Sequence, residues 1–273
     1  MSASQIALLG AIAGFTIFLG LPIGRLRSPA PRLKAALNAV AIGILIFLIW
    51  DVLAHAWEPI DGALGDRDWA TVLTAGPVLA IGLAIGLLGL VYYDRWAERR
   101  RVTNTERHGP GAAGAVELTA RSSAAGLAMM IAIGIGLHNF AEGLAIGNSA
   151  AKGELSLAVL LVIGFGLHNA TEGFGIVAPL TAAGERISWG RLGLLGLIGG
   201  GPTFLGTLIG QRLVNDTLSV AFLGLAAGSI LYVVIELLAV ARRTGLKQIT
   251  AWGILVGLLL GFATDAIVTA AGA

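Results

Sequence analysis

Two short blocks carry the chemistry of this chain of 273 residues: HNFAEG at 138–143 and HNATEG at 168–173. On a helix, His138 and Glu142 stand four residues apart on one face, with Asn139 beside them. His168, Asn169 and Glu172 repeat the arrangement, and each trio falls within about 100° of arc at the helical period. Two such faces turned together supply two imidazoles, two carboxylates and two amide oxygens. That donor set suits Zn²⁺, Fe²⁺, Mn²⁺ or Co²⁺. Soft Cu⁺ is disfavoured, because the chain has no Cys and Met129 and Met130 are poor substitutes for an all-sulfur site. The lack of Cys also removes disulfides and redox thiols.

The elements that hold these blocks must cross a membrane. The chain is 56% hydrophobic and only 12% charged, with a mean hydropathy of +0.85, where soluble domains carry roughly 25% charged residues. Apolar runs long enough for a ~30 Å hydrocarbon core recur throughout and predict eight helical spans, 5–24, 35–57, 70–93, 122–148, 155–180, 192–211, 217–240 and 249–271. Gly-rich interiors such as 82–89 and 193–206 fit closely packed membrane helices, and the alternating segments of a β-barrel are missing. The expected fold is all-α, a polytopic membrane protein forming one domain over 1–273, with a basic, polar linker at about 96–121. Composition excludes a soluble enzyme on a membrane anchor. The first run starts at Gln5 with no Lys or Arg before it, so it reads as a retained span rather than a signal peptide.

Charge sets the expected orientation. Fifteen Lys and Arg fall in the loops after spans one, three, five and seven, against Arg67, Lys152 and Arg212 on the other side. The positive-inside rule then places both termini outside the cytoplasm. It also accounts for the pI near 9.3 without invoking nucleic acid. Trp50, Trp57, Trp69, Trp96, Trp189 and Trp252 lie at or near span ends, as interfacial anchors do.

A charged side chain near the bilayer centre costs about 2.5–3.5 kcal/mol on insertion scales, yet the spans contain Asp51, Glu142, Glu172, Glu236 and Asp265. These groups must be paired, protonated, hydrated or bound, and a dication would stabilise both repeat glutamates as anions. Residues 133–146 and 163–176 match at nine of 14 positions at an offset of 30, which makes the blocks an internal repeat. Successive spans run in opposite directions, so the copies meet at mid-depth about a pseudo-two-fold axis in the membrane plane, where transporters bind substrate. Gly143 and Gly173 remove bulk beside each carboxylate. Interhelical hydrogen bonding is the competing role for every member of the blocks, most of all for Asn139 and Asn169.

At these residues the sequence resembles the ZIP (Zrt/Irt-like) metal transporters, prokaryotic members included. That family has eight spans with both termini outside and a His-Asn-x-Pro-Glu-Gly block in span four with a related block in span five. Span seven, AAGSILYVVIELL at 226–238, resembles the family's Ala-Gly-x-x-Leu-Tyr-Val stretch, and DVLAHAWEP at 51–59 loosely resembles the end of its span two. The resemblance implies a multi-pass protein of the cytoplasmic membrane that takes up divalent metal, zinc first among the candidates. It implies metal as cargo, not as a catalytic cofactor. Three departures stand out: Ala141 and Thr171 replace the usual prolines, Thr203 stands where many bacterial members carry a span-six carboxylate, and the loop after span three holds only His108.

Asp51, His55 and Glu58 share a face at i, i+4 and i+7 near the outer end of span two and are candidates for an accessory site or a polar cap. Glu236, in the cytoplasmic half of span seven, is a candidate for metal or proton release or for pairing with Arg242 or Arg243; Asp265 is a weaker candidate. The expected partners are divalent ions and the bilayer, with a homodimer left open. Two rivals stand beside transport: an intramembrane metal-dependent hydrolase, which lacks HExxH and a separate general base, and a structural pair of polar helices in an assembly subunit.

Overall fold

The computed structural model describes residues 2–25, 31–105, 112–151, 155–185, 187–212 and 215–270. Every regular element among them is helical. The helices are α1 (Ala3–Arg25), α2 (Pro31–Gly65), α3 (Trp69–Thr105), α4 (Ala112–Ala151), α5 (Leu155–Ala182), α6 (Trp189–Gly210), α7 (Asp216–Thr244) and α8 (Lys247–Ala270). Seven of them contain a stretch long and apolar enough to cross a bilayer. The remaining one, α5, has 28 residues, about 42 Å of helix at 1.5 Å per residue. The protein is a polytopic all-α membrane protein. His108 of the sequence analysis lies outside the described residues, as do the cationic positions Arg27, Arg107, Lys152 and Arg186.

Local chemistry sets the helix ends. Ser2 and Gln5 form a reciprocal capping box at the start of α1. Ser188 accepts from the Arg191 amide at the start of α6, and Asn215 from the Leu218 amide at the start of α7. Gly245, in the left-handed region at φ 69°, closes α7 after Arg242 and Arg243, whose charge complements the helix C-terminus. Helix runs further than hydropathy suggests around the expected linker: α3 continues to Thr105 and α4 starts at Ala112. Charged segments such as AERRR at 97–101 are poor lipid formers but good helix formers, so the helix outlasts its apolar stretch.

Glycines sort the helices into two groups by letting backbones touch. In one group, α4 lies on α6, and a methyl group at Gly143 would sit 2.1 Å from Thr203 O. There α1 packs on both α6 and α5, with Gly14 against Gly200 and Gly20 against Gly173. In the other group, α3 lies on α7 through Gly86 and Gly228, and α2 lies on α8 through Gly43 and Gly257. Lipid tails are as apolar as the helices, so close backbone contact is the main attraction available. Between the groups lies one contiguous apolar core that includes Ile42, Leu45, Ile131, Ile135, Ile176, Val233 and Leu237. All six Trp side chains are exposed; Trp50, well inside the long α2, also packs against Phe262 of α8, the rings tilted by 49° with centroids 5.3 Å apart.

Candidate metal centre

The repeat blocks face each other as their spacing requires. The connection between α4 and α5 covers only residues 152–154, which forces the two helices antiparallel. His138, Glu142 and His168 converge so that one ligand atom from each lies within 4.8 Å of the other two. Both imidazoles address a single carboxylate oxygen: His138 Nε2 lies 3.0 Å and His168 Nε2 2.5 Å from Glu142 Oε1. Glu172 completes the group, with Oε1 3.9 Å from His138 Nε2. His138, Glu142 and Glu172 are buried, and the His168 side chain is 11% exposed.

The hydrogen bonding of this cluster is incomplete. The His138–Glu142 approach is short but lacks hydrogen-bond geometry, and neither nitrogen of His138 has a hydrogen-bond partner. Glu142 Oε2 and both oxygens of Glu172 also lack one. Buried polar groups are nearly always satisfied, and each exception calls for an explanation. One ligand atom each of His138, Glu142 and His168 meets the others within 4.8 Å, and imidazole nitrogen and carboxylate oxygen are donors that a divalent cation could take.

Asn139 and Asn169 each face two ways. Asn139 Nδ2 donates to Gly199 O of α6 at 2.9 Å, and Asn169 Nδ2 donates to Ala13 O of α1 at 3.1 Å. Each repeat helix is thereby tied to a different neighbour. The two Oδ1 atoms are buried without a partner, so the amide oxygens stay available. Thr203 is fully buried on α6, and its Oγ1 has no partner either. Thr171, in the position of the usual proline, donates its hydroxyl to His168 O at 2.7 Å. Hydroxyl back-bonding of this kind bends helices.

A cavity of about 480 Å³ reaches the cluster from one end of the bundle. Its floor is formed by His138, Glu142, His168 and Thr171, and its wall by Asp51 and His55 of α2 and Asp265 of α8, among apolar residues such as Phe47 and Leu260. Asp51 and His55 pair at 3.5 Å. Glu58 is exposed and does not line the cavity: at i+7 it keeps the face of Asp51 but stands about 10 Å further along α2. Asp265 is the residue that sequence reasoning undervalued: only the packing of α8 on α2 brings it beside Asp51, and no local pattern announces that. Glu236 is half-buried on α7 and is neither one of the three clustered residues nor part of the cavity lining.

The family model for the ZIP zinc transporters matches residues 94–269, which takes in both repeat blocks, span seven and Asp265. The chain belongs to the ZIP family. No curated protein matches it. As a ZIP member it is a multi-pass membrane transporter of divalent metal ions, and metal is its cargo rather than a catalytic cofactor. A transporter family is consistent with passage rather than hydrolysis at the His/Glu cluster.

Proposed function

We propose that this ZIP protein takes up Zn²⁺ into the cytoplasm, binding it through His138, Glu142, His168 and Glu172, with Asn139 and Asn169 offering their amide oxygens. One observation carries the reading: two imidazole nitrogens converge on one buried carboxylate oxygen, at 3.0 and 2.5 Å, on the floor of an open cavity. Nitrogen and carboxylate donors in a small cluster favour zinc, with iron, manganese, cobalt and cadmium as competitors. Neutral imidazole and carboxylate replace part of the ion's hydration shell, and binding displaces any proton those ligands hold.

Direction follows from two supports. The excess of Lys and Arg after the odd-numbered spans argues for both termini outside the cytoplasmic membrane. In that orientation the cavity opens outward, and Asp51 and Asp265 on its wall raise the local concentration of cations at its mouth. His55, exposed beside Asp51, is an accessory contact on the way in. Glu236 lies toward the cytoplasmic end of α7, where an ion would leave.

The test is uptake by purified protein in liposomes, with Zn²⁺, Mn²⁺, Fe²⁺, Co²⁺ and Cd²⁺ in competition and an imposed pH difference. Saturable zinc accumulation that other ions inhibit, and that is lost in the His138→Ala/Glu172→Ala double variant, is the expected result. Wild-type flux in that variant overturns the site, and zinc that competes no better than manganese overturns the choice of metal.

A further inference from the structure

The 226–238 stretch of α7 is a sequence motif without a ligand in the cluster, and its packing suggests what it does. Its Gly228 turns toward α3, where a methyl group would meet Leu83 O at 2.3 Å. Ser229, Val233 and Leu237 follow one another at four-residue intervals and form a different stripe. All three are fully buried.

That stripe fits into two notches in the repeat helices. A methyl group at Gly134 of α4 would lie 2.7 Å from Val233 Cγ2, and one at Gly175 of α5 would lie 3.2 Å from Leu237 Cδ1. Gly134 is four residues before His138, and Gly175 three residues after Glu172. On antiparallel helices both positions lie about one turn beyond the cluster on the side away from the cavity. Ala41 of α2 also reaches Gly175, with its Cβ 4.0 Å from a methyl placed there. Ile42, Leu45 and Ile131 of the same apolar core are at most 1% exposed, and Ile135 and Ile176 extend it toward Gly199 of α6. Asn38 of α2 braces it by donating Nδ2 to Leu237 O at 3.3 Å. None of Gly134, Gly175, Val233 and Leu237 lines the cavity, and one turn beyond the ligands the seam between the two helix groups is filled mainly by buried apolar side chains.

We propose that Val233 and Leu237 are the inner gate of the transport path, seated in the glycine notches at Gly134 and Gly175, and that metal leaves the cluster only when this stripe unseats. A hydrated or partly coordinated dication cannot enter an apolar constriction that excludes water. The glycines make the seal close-fitting, and the branched side chains make it reversible, because no polar bond between α7 and the repeat glycines has to break. The proposal rests on the transport reading above, and its test does not need metal.

The absence of cysteine from the chain makes single-cysteine reporters unambiguous. One reporter, Ile176→Cys, is fully buried directly after the Gly175 notch; the other, Ala145→Cys, lines the cavity. Each is read as a rate of modification by a membrane-impermeant thiol reagent applied from the corresponding face of oriented vesicles. Gly134→Ala places a methyl against Val233 and should raise modification at 176 from the cytoplasmic face about tenfold, the change that 1.4 kcal/mol produces, while slowing modification at 145. Val233→Ala removes the opposing Cγ2, so Gly134→Ala/Val233→Ala should return both rates to within about threefold of the parent. Reciprocal changes and their suppression support the gate. It is overturned if the 176 rate does not respond to Gly134→Ala, if Val233→Ala does not rescue, or if both reporters speed up together as in general loosening. Where Gly134→Ala fails to fold, Leu237→Ala with the same reporters decides: faster labelling at 176 supports the gate and an unchanged rate refutes it. Gated labelling without zinc uptake would leave the gate standing and refute the transport reading; zinc uptake with indifferent reporters would do the reverse.

Discussion

Replacing Gly143 with Ala should impair both packing and transport, by an amount the structure sets. The added methyl would lie 2.1 Å from Thr203 O, 2.9 Å from Thr203 C and 2.9 Å from Thr207 N. All three are backbone atoms of α6, so no side chain can rotate out of the way. Carbon–oxygen contacts settle at about 3.3 Å or more, which requires α4 to back away from α6 by roughly 1 Å. Overfilling a packed interface typically costs about 1–3 kcal/mol, whereas Gly→Ala in an unhindered helix gains about 1 kcal/mol. The displaced residue is the neighbour of Glu142, whose Oε1 is shared by two imidazoles at 3.0 and 2.5 Å. A misplacement of about 1 Å in a preorganised site can lower its rate ~10²-fold. The assay is initial zinc uptake in proteoliposomes, alongside the unfolding temperature in detergent. Gly201→Ala is the control, because a methyl there meets nothing within 4 Å. The expected outcome is a lower unfolding temperature and about a hundredfold slower uptake for Gly143→Ala, with neither for Gly201→Ala. Wild-type values for Gly143→Ala would refute the argument, and equal losses in the control would trace the effect to glycine loss in general.

Asn169→Leu removes the tie to Ala13 O and should lower stability in the absence of metal by about 0.6–1.7 kcal/mol, the range for such interhelical bonds; thermal unfolding in chelator checks this. Thr203→Val should leave the unfolding temperature unchanged or raise it, since the buried Oγ1 it removes has no partner, and a clear drop would reveal an unrecognised bond. Asp68, outside the spans, caps the first turn of α3 by accepting from the Thr71 amide and hydroxyl, and these bonds hold its carboxyl below the ordinary value of 3.8. Its contribution is therefore complete above that value and is lost as pH falls through the lower folded-state value. The stability gap between wild type and Asp68→Ala should be visible at neutral pH and vanish on strong acidification; a gap that grows in acid would show the sign to be wrong.

The sequence alone determined the class of protein and singled out the polar residues of the two repeat blocks. Long apolar runs with few charges leave no alternative to membrane helices, and a helix fixes the relation of His138 to Glu142 and of His168 to Glu172 within a single turn. Local geometry also foretold the close approach at Gly143 and Gly173, where only a hydrogen fits against Thr203 O and Ile17 O. What lay beyond reach depends on how distant helices cross. No spacing rule indicates that Glu142 rather than Glu172 stands between the two imidazoles, or that Asn139 and Asn169 reach α6 and α1 respectively. The meeting of Asp265 with Asp51 in one cavity, and of Val233 with Gly134 beneath the cluster, joins residues more than 90 positions apart. Periodicity assigns a side chain to a face of its own helix; which partner that face meets is decided by the packing of backbones on glycine, and only the tertiary structure contains it.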